Sequence, residues 1–406
     1  MRAPQSLPWW PALVLWPGLC GPALAFEVFE GFQVHGFLTQ GYFLTSKNNN
    51  LFGESTDGGS LGFTEIGANA SWVPRPDVQL AIQGLSRRAG GASEGEPELD
   101  FALLDYAAVE TVDRRLGVRA GRVRLPLGLY NDTRDVAFTR PSILLPQSIY
   151  FDRARELAIS GDGILFYAEE RGAWGNFMLD FAGPYFQRIG TENAEFGIFG
   201  FELPGDLESR VSFMGRLIYE TPVQGLRLAI TGARLLAKYN PRFDPSQDLG
   251  PGDDTFEPLI FSAQYEAEHW SLTGEYARRR TKDEGFSSEA FPNFDLDIVG
   301  ESYYVQGIYR IDPHWEMVLR YDVFYANVDD RDGSKTEAAT GTPSSFQFAK
   351  DWTFGVRYNI TPSWMARAEY HNVYGGTVYL LSQDNPDPFA LDKKWDIFAL
   401  LLSYRF

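Results

Sequence analysis

Short runs of alternating apolar and polar residues recur along most of the chain, and the last run is the clearest. Near the carboxyl end, Phe398, Leu400, Leu402, Tyr404 and Phe406 occupy every second position. Because side chains in a β-strand point alternately to opposite faces, this spacing predicts a strand with one face toward an apolar medium. Such a strand occurs in a soluble sandwich as well as in a membrane barrel, so the other segments must distinguish the two.

The same period of two predicts sixteen strands in all. Their predicted bounds are 31–44, 60–73, 77–87, 98–112, 115–125, 156–169, 173–182, 209–220, 225–237, 257–267, 269–280, 299–311, 314–328, 347–360, 363–374 and 393–406.

The predicted connections alternate strictly between two kinds. Tight turns rich in Pro, Gly, Asp and Thr lie at 74–76, 112–114, 170–172, 221–224, 267–268, 312–313 and 361–362. Long polar loops lie at 45–59, 88–97, 126–155, 183–208, 238–256, 281–298, 329–346 and 375–392. Short turns at one rim and long loops at the other are typical of outer-membrane barrels, in which the turns are periplasmic and the loops extracellular.

In several predicted strands the face opposite the apolar residues is charged. Arg320, Asp322, Arg357, Arg367 and Glu369 all lie on such faces. An arginine that faces lipid near the bilayer centre costs roughly 2–4 kcal/mol, and unpaired charges in a dry core are also costly. A water-filled lumen suits both faces, and sixteen strands can enclose one. The pattern predicts an all-β fold, a sixteen-stranded antiparallel transmembrane β-barrel.

The tryptophans follow the same layout. Five of them lie within a few residues of a predicted tight turn, at Trp72, Trp174, Trp270, Trp315 and Trp364. Trp352 and Trp395 lie near the opposite ends of their strands. Because the indole ring prefers a membrane–water interface, we expect two aromatic belts. Trp352 and Trp395 would belong to the upper belt, at the rim of the long loops.

The amino terminus predicts export. Residues 1–25 contain one charge, an apolar stretch and a small-residue cleavage pattern ending at Ala25, as in a secretory signal peptide. Residues 26–406 would then form the barrel domain. Cys20 is the only cysteine, so the mature chain would contain no disulfide.

The charge and the motif content narrow the function further. The net charge of −18 argues against nucleic acid as a partner. The sequence contains neither a phosphate-binding glycine motif nor zinc-ligand spacing, so we expect no cofactor and no metal.

The connection at 126–155 differs from the other long loops because it is rich in large apolar side chains, which predicts that it packs against a wall. It follows Gly121-Arg122-Val123-Arg124-Leu125-Pro126-Leu127-Gly128-Leu129-Tyr130. This stretch looks like the Gly-x-x-Lys/Arg-x-Pro-x-Gly-Leu segment of phosphate-selective and related sixteen-stranded porins. The chain therefore resembles bacterial outer-membrane porins, whose third loop folds inward as a constriction. Unlike the anion-selective members, it has no run of lumenal lysines.

The resemblance implies a function, a location and partners. It implies a porin in the outer membrane of a Gram-negative bacterium that admits small hydrophilic solutes by passive diffusion. It also implies a homotrimer in contact with outer-membrane lipid and lipopolysaccharide. The terminal Tyr404 and Phe406 resemble the signal that such barrels present to the barrel-assembly machinery.

Charged residues in and around this loop are the candidates for the pore constriction. They are Arg119, Arg122, Arg124, Asp132, Arg134, Asp135, Arg140, Arg153 and Arg155, together with the wall residues Arg320, Asp322, Arg357, Arg367 and Glu369. Such charges set ion preference in a pore, and the many arginines favour solutes that carry carboxylate or phosphate. Alternatively, the arginines pair with neighbouring acids and fix the loop to the wall. The two roles are compatible.

Two other functions fit a barrel of this kind. One is a barrel-bound outer-membrane hydrolase of the lipase type, in which His371 would orient a serine. The other is a structural or adhesive barrel with a plugged lumen.

If Arg122 and Arg124 line the pore, charge reversal at both positions should shift ion preference toward cations. The reversal potential across a planar bilayer under a salt gradient measures this shift. An unchanged reversal potential removes these residues from the pore lining.

Overall fold

The computed structural model describes residues 26–189, 205–241, 250–286, 295–376, 378–380 and 383–406. The predicted signal peptide and parts of the predicted loops at 183–208, 238–256, 281–298 and 375–392 lie outside these residues. Within the described ranges, no helix has the length and apolar character needed to cross a membrane.

The described residues form one antiparallel sheet of eighteen strand segments. They are β1 Phe26–Phe29, β2 Phe32–Thr45, β3 Ser60–Arg75, β4 Val78–Ala89, β5 Glu94–Glu110, β6 Arg114–Arg124, β7 Ser160–Gly172, β8 Gly175–Gln187, β9 Gly205–Ser209, β10 Ser212–Glu220, β11 Leu226–Pro241, β12 Gly252–Glu266, β13 Trp270–Glu284, β14 Leu296–Arg310, β15 Trp315–Tyr325, β16 Phe348–Asn359, β17 Trp364–Gly375 and β18 Lys394–Arg405.

The sheet closes on itself. The last strand, β18, pairs with β2 from Ile397 opposite Thr45 to Arg405 opposite Phe37. The segments β9 and β10 both pair with β11 and form two parts of one strand of the wall. The segment β1 is a short strand that folds back on the start of β2. The wall therefore has sixteen strands, and the predicted closed antiparallel barrel is confirmed.

Alternation along each strand separates an apolar outer face from an inner face. In β18, Phe398, Leu400 and Leu402 are exposed on the outside, whereas Ile397 and Leu401 are buried inside. Exposed leucine, isoleucine and phenylalanine side chains recur on the outer faces of most strands. An outer band of this kind suits contact with hydrocarbon.

Aromatic side chains flank this band at the rim of the short turns. Trp315 packs on Tyr358 with ring centroids 4.5 Å apart, and Trp364 packs on Tyr404 at 4.8 Å. At the long-loop rim, Trp352 is exposed and packs on Tyr321 at 4.5 Å.

The predicted position of Trp395 in the upper aromatic belt is wrong. Trp395 is 1% exposed, and its indole Nε1 donates to the carbonyl of Gly375 at 2.9 Å. The reason is its parity in β18, because Trp395 shares the inner face with Ile397 and Leu401.

Several predicted strand starts also differ from the structure, among them β12, which begins at Gly252 rather than at 257. The predicted long loop at 88–97 is a connection of only four residues, because β5 begins at Glu94 and pairs there with Arg88. The amide of Ala89 donates to Ser93, which closes this turn at 2.8 Å. The strand predicted to begin at 156 begins at Ser160, after a helical turn at Glu156–Ile159.

Replacing Leu400 with arginine should destabilise the barrel by roughly 2–4 kcal/mol, because the guanidinium would face hydrocarbon in the middle of β18. Refolding into lipid vesicles under a denaturant gradient measures this free energy. The control is Val112→Arg, since Val112 lies in a short turn and is 84% exposed. There the same change should cost at most about 1 kcal/mol. Equal costs at both positions would contradict the assignment of the outer face.

Candidate functional site

The connection between β6 and β7, residues 125–159, is called the third loop below. It is the third connection at the long-loop rim. It contacts inward-facing side chains of β3, β4, β10, β13, β15, β16 and β17. These strands lie on all sides of the barrel. A loop that touches all of them lies inside the lumen.

The two ends of the loop are held together where it leaves the wall. The amide of Leu125 donates to the carbonyl of Ile159 at 3.2 Å. The buried side chain of Asn131 donates to the carbonyls of Leu125 and Ala158, at 2.8 and 2.6 Å. These bonds satisfy backbone acceptors that would otherwise be buried without a partner.

The backbone conformation at Gly128 explains why the porin-like segment has a glycine at this position. Its φ is +57°, in the left-handed region that favours glycine. A Cβ atom there would lie 2.3 Å from the hydroxyl oxygen of Tyr150. The carbonyl of Gly128 accepts a hydrogen bond from Arg216 of β10 at 2.9 Å, and Arg216 also pairs with Asp132 at 2.7 Å. The bend at Gly128 thus directs the chain onto the wall.

Glu275 of β13 is the main anchor on one side of the lumen. It is 2% exposed and accepts hydrogen bonds from the hydroxyls of Tyr150, Tyr304 and Ser262, at 2.5, 2.8 and 2.6 Å. The amide of Leu129 donates to it at 3.2 Å. Hydrogen bonds to an ionised group are stronger than neutral ones, so one buried carboxylate fixes two points of the loop.

Three wall residues fix the middle of the loop. Arg320 donates to the hydroxyl of Ser142 at 2.8 Å and to the carbonyl of Leu144 at 3.1 Å. Glu369 accepts from the amides of Ile143 and Leu144, and Asp322 accepts from the amide of Ser148 at 3.3 Å. Sequence analysis selected these three as pore-lining charges, and the structure pairs each of them with the loop backbone or a loop side chain.

His371 lies behind this contact and is held between two acids. Its Nδ1 is 2.8 Å from Asp351, and its Nε2 is 3.4 Å from Glu369. The ring is fully buried. Both ring nitrogens thus face carboxylates, an arrangement that favours the imidazolium ion.

A chain of ion pairs joins the loop to β3 and β4. Arg140 pairs with Glu65 at 2.6 Å, and Arg87 pairs with Asp152 at 3.1 Å. Arg134 pairs with the same Asp152 at 3.3 Å and donates to the carbonyl of Tyr150 at 3.1 Å. Burial is the main cause that lowers the pKa of Arg134 to about 10. Nearby arginines lower its pKa further, while Asp152 raises it.

The other candidates on this side also pair within the site. Arg124 pairs with Asp100 and with Asp135, and Arg155 pairs with Asp135. In addition, Arg367 donates to the carbonyl of Arg140, and Arg357 donates to that of Phe138 at 3.2 Å. The alternative in which the arginines fix the loop therefore describes most of them.

Apolar packing reinforces the polar contacts at both ends of the loop. Phe138, Ile143 and Leu144 pack in a buried cluster with wall residues such as Phe43 and Ile397. At the other end, Leu127, Ile149 and Tyr150 pack in a second cluster, whose wall residues include Leu165, Tyr185, Met214, Leu235 and Ile260. At this level the inner face of the wall contacts the third loop rather than water.

The first and last long loops close one side of the entrance. Asn49 and Asp392 exchange two hydrogen bonds, both of 2.8 Å. Asp384 accepts from the amide of Gly91 at 3.0 Å, and burial raises the pKa of Asp384.

Three further candidates take no part in the anchoring contacts described above. Arg119 faces inward nearer the short turns and pairs with Asp105 at 2.9 Å. Arg153 belongs to the loop and lines a cavity between the loop and the wall. The predicted lumenal position of Arg122 is wrong, because Arg122 pairs at 2.7 Å with Asp162, which shares the outer face with the exposed Phe166.

Sequence reasoning did not select four of the residues that hold the loop: Glu65, Arg87, Arg216 and Glu275. Their positions on the polar face of alternating strands could have identified them. Glu275 lies on the polar face of β13 with Ser271 and Thr273, both buried inside. Among the described residues, no group of three or more His, Cys, Asp or Glu side chains is arranged to hold a metal ion.

The terminal residues complete the wall. The amide of Phe406 donates to the carbonyl of Gly36 at 3.0 Å, and the amide of Gly36 donates back at 3.2 Å. The ring of Phe406 lies so close to Gly36 that a Cβ there would be 2.5 Å from it.

No protein-family model matches the sequence, and no curated protein matches it significantly. Solved structures do match over nearly the whole chain. The outer membrane channel DcaP of Acinetobacter baumannii is 12% identical with a TM-score of 0.58, covering 94% of this chain and 99% of that one. The anion-selective porin from Comamonas acidovorans is 13% identical with a TM-score of 0.56, covering 92% and 99%.

OmpT, an outer-membrane protein of Vibrio cholerae, is 11% identical with a TM-score of 0.56, covering 94% of this chain and 100% of that one. Identities this low establish the fold alone. The closed antiparallel wall agrees with these matches. The chain has the sixteen-stranded barrel fold of the bacterial outer-membrane porins.

Proposed function

We propose that the protein is an outer-membrane channel for small hydrophilic solutes, in which the third loop reduces the lumen to a narrow passage. The observation that carries this proposal is the attachment of the loop to opposite sides of the wall, through Glu275 on one side and Glu65 on the other. An open general pore would leave more of the lumenal charges in water. A restricted channel accounts for both the porin fold and these buried contacts.

The passage is expected to favour anions. Arg320, Arg357 and Arg367 face the lumen, and in the described part of the chain none of them has a carboxylate within 4.0 Å. Carboxylates farther away offset this charge in part: Asp322, Asp351 and Glu369 near Arg320, and Glu316 and Glu369 near the other two. Guanidinium groups attract carboxylate and phosphate, so they would lower the barrier for such solutes.

The proposal includes export, assembly and partners. Residues 1–25 would be removed as a signal peptide, and the mature chain would reside in the outer membrane of a Gram-negative bacterium. The exposed Phe406 and its neighbour Tyr404 would be read by the assembly machinery. Lipopolysaccharide would surround the rim of the long loops, and three copies would associate through their outer faces, as the resemblance to porins implies.

A plugged structural or adhesive barrel is the second candidate, favoured by the two apolar clusters at the ends of the third loop. Discrete channel events from folded protein would exclude it. The hydrolase alternative receives no support from His371, because its two ring nitrogens face Asp351 and Glu369. In a hydrolase of this type, one ring nitrogen would have to face the serine hydroxyl and accept its proton.

Wild-type protein in a planar bilayer should show discrete events of low conductance. Replacing Glu275 with alanine should increase conductance, because the change leaves the hydroxyls of Tyr150 and Tyr304 and the amide of Leu129 without their acceptor. A hydrogen bond to a charged group contributes about 1.5–3 kcal/mol. Losing one therefore favours the released loop about tenfold or more.

The matched control is Glu268→Ala, which removes the same charge from the turn at the other end of the same hairpin. Glu268 is 89% exposed and should leave the conductance unchanged. Heat-modifiable migration and circular dichroism confirm that both variants are folded. If neither the folded wild type nor the folded Glu275→Ala variant conducts, the channel proposal fails and the plugged barrel is favoured.

A further inference from the structure

A cavity of about 240 Å³ lies inside the barrel between the third loop and the long-loop halves of β11 to β15. Most of its lining is apolar. The wall contributes Leu235, Phe256 and Ile260, and the loop contributes Ile149, Phe151 and Leu157. Pockets for drug-sized ligands measure roughly 300–1,000 Å³, so this one suits a smaller molecule.

One charged side chain of the wall is incompletely satisfied in this apolar setting. Arg279 of β13 lines the cavity and is 7% exposed. Its guanidinium lies 4.1 Å from the ring centroid of Phe324 and donates to the carbonyl of Tyr325 at 3.2 Å. Within the described residues its Nε has no hydrogen-bond partner, and no carboxylate lies within 4.0 Å.

The wall is shaped to hold Arg279 in this position. Gly300 lies directly opposite it on β14. A Cβ atom at Gly300 would lie 2.8 Å from the guanidinium, so a larger residue would displace it. A buried cation with unused donors is costly unless an anion meets it. Because an arginine can bind a carboxylate with two parallel hydrogen bonds, a carboxylate fits this position.

The charges elsewhere in the cavity restrict the ligand further. Arg153 of the loop also lines the cavity and adds positive charge. Asp254 lines it as well, and it lies opposite Asp283 in the register of β12 and β13. Two carboxyl groups this close share a proton rather than both ionise, and the negative charge that remains would repel a second anionic group on the ligand.

We propose that this cavity binds a small amphipathic monocarboxylate, with its carboxylate on Arg279 and its apolar body against Phe256 and Ile260. This inference rests on the proposed channel function, in which the cavity would hold a solute between the third loop and the wall. The apolar walls select against phosphate, which has no apolar body, and Asp254 selects against dicarboxylates.

Calorimetry on the whole protein in detergent tests the ligand class, with benzoate as the probe. Benzoate should bind at least tenfold more tightly than benzamide, its neutral analogue, and more tightly than phthalate or inorganic phosphate. These comparisons use the wild type, so they do not depend on the folding of a variant. Equal binding of benzoate and benzamide, or tighter binding of phthalate or phosphate, would overturn the proposal.

A variant then tests the residue. Arg279→Gln should weaken benzoate binding at least tenfold. The matched control is Arg278→Gln, the same change on the outer face of the same strand, which should leave binding unchanged. Equal effects of the two changes would remove Arg279 from the site. Because binding and conductance are measured separately, a conducting protein that ignores benzoate refutes this inference alone. A protein that binds benzoate but never conducts would contradict the proposed channel function and leave the binding site standing.

Discussion

The structure depends on one constraint, that a backbone in contact with hydrocarbon must pair all of its amide and carbonyl groups within the protein. An open sheet of this length would leave two edges unpaired in lipid. Pairing of β18 with β2 removes both edges and brings the carboxyl terminus against Gly36. Once the wall is closed, the inward-facing side chains of all its strands point into one lumen. The third loop, which lies in that lumen, is therefore surrounded by charged side chains.

The same requirement explains why the lumenal charges are buried rather than hydrated. A long loop inside a barrel brings its own amides and carbonyls, which also need partners. Here carboxylates such as Glu369 accept from loop amides, and guanidinium groups such as Arg320 donate to loop carbonyls. The charged side chains of the wall thus bind mainly the backbone and the side chains of the loop. Only charged side chains whose hydrogen-bonding groups remain incompletely paired would act on passing solutes.

The strands were predictable because alternation is local, and the inward loop was predictable because its composition is too apolar for water. The bonds of the loop were not predictable, since Tyr150 and Glu275 meet only after the wall has closed. Parity alone would have separated Arg119, which faces inward, from Arg122, which faces outward. The short connection after Ala89 was missed because its glycine-rich composition is that of a loop, although the strands on both sides of it are longer than their patterns suggest.

The bonds from Asn131 to the carbonyls of Leu125 and Ala158 have a consequence for how such barrels diversify. They tie the departing and returning ends of the insertion together at its base, so both ends leave the wall at fixed positions. The residues after Asn131 are then the part of the insertion that can diverge. A replacement must still supply partners for buried wall charges such as Glu275 and Glu369, which limits how far the insertion can change.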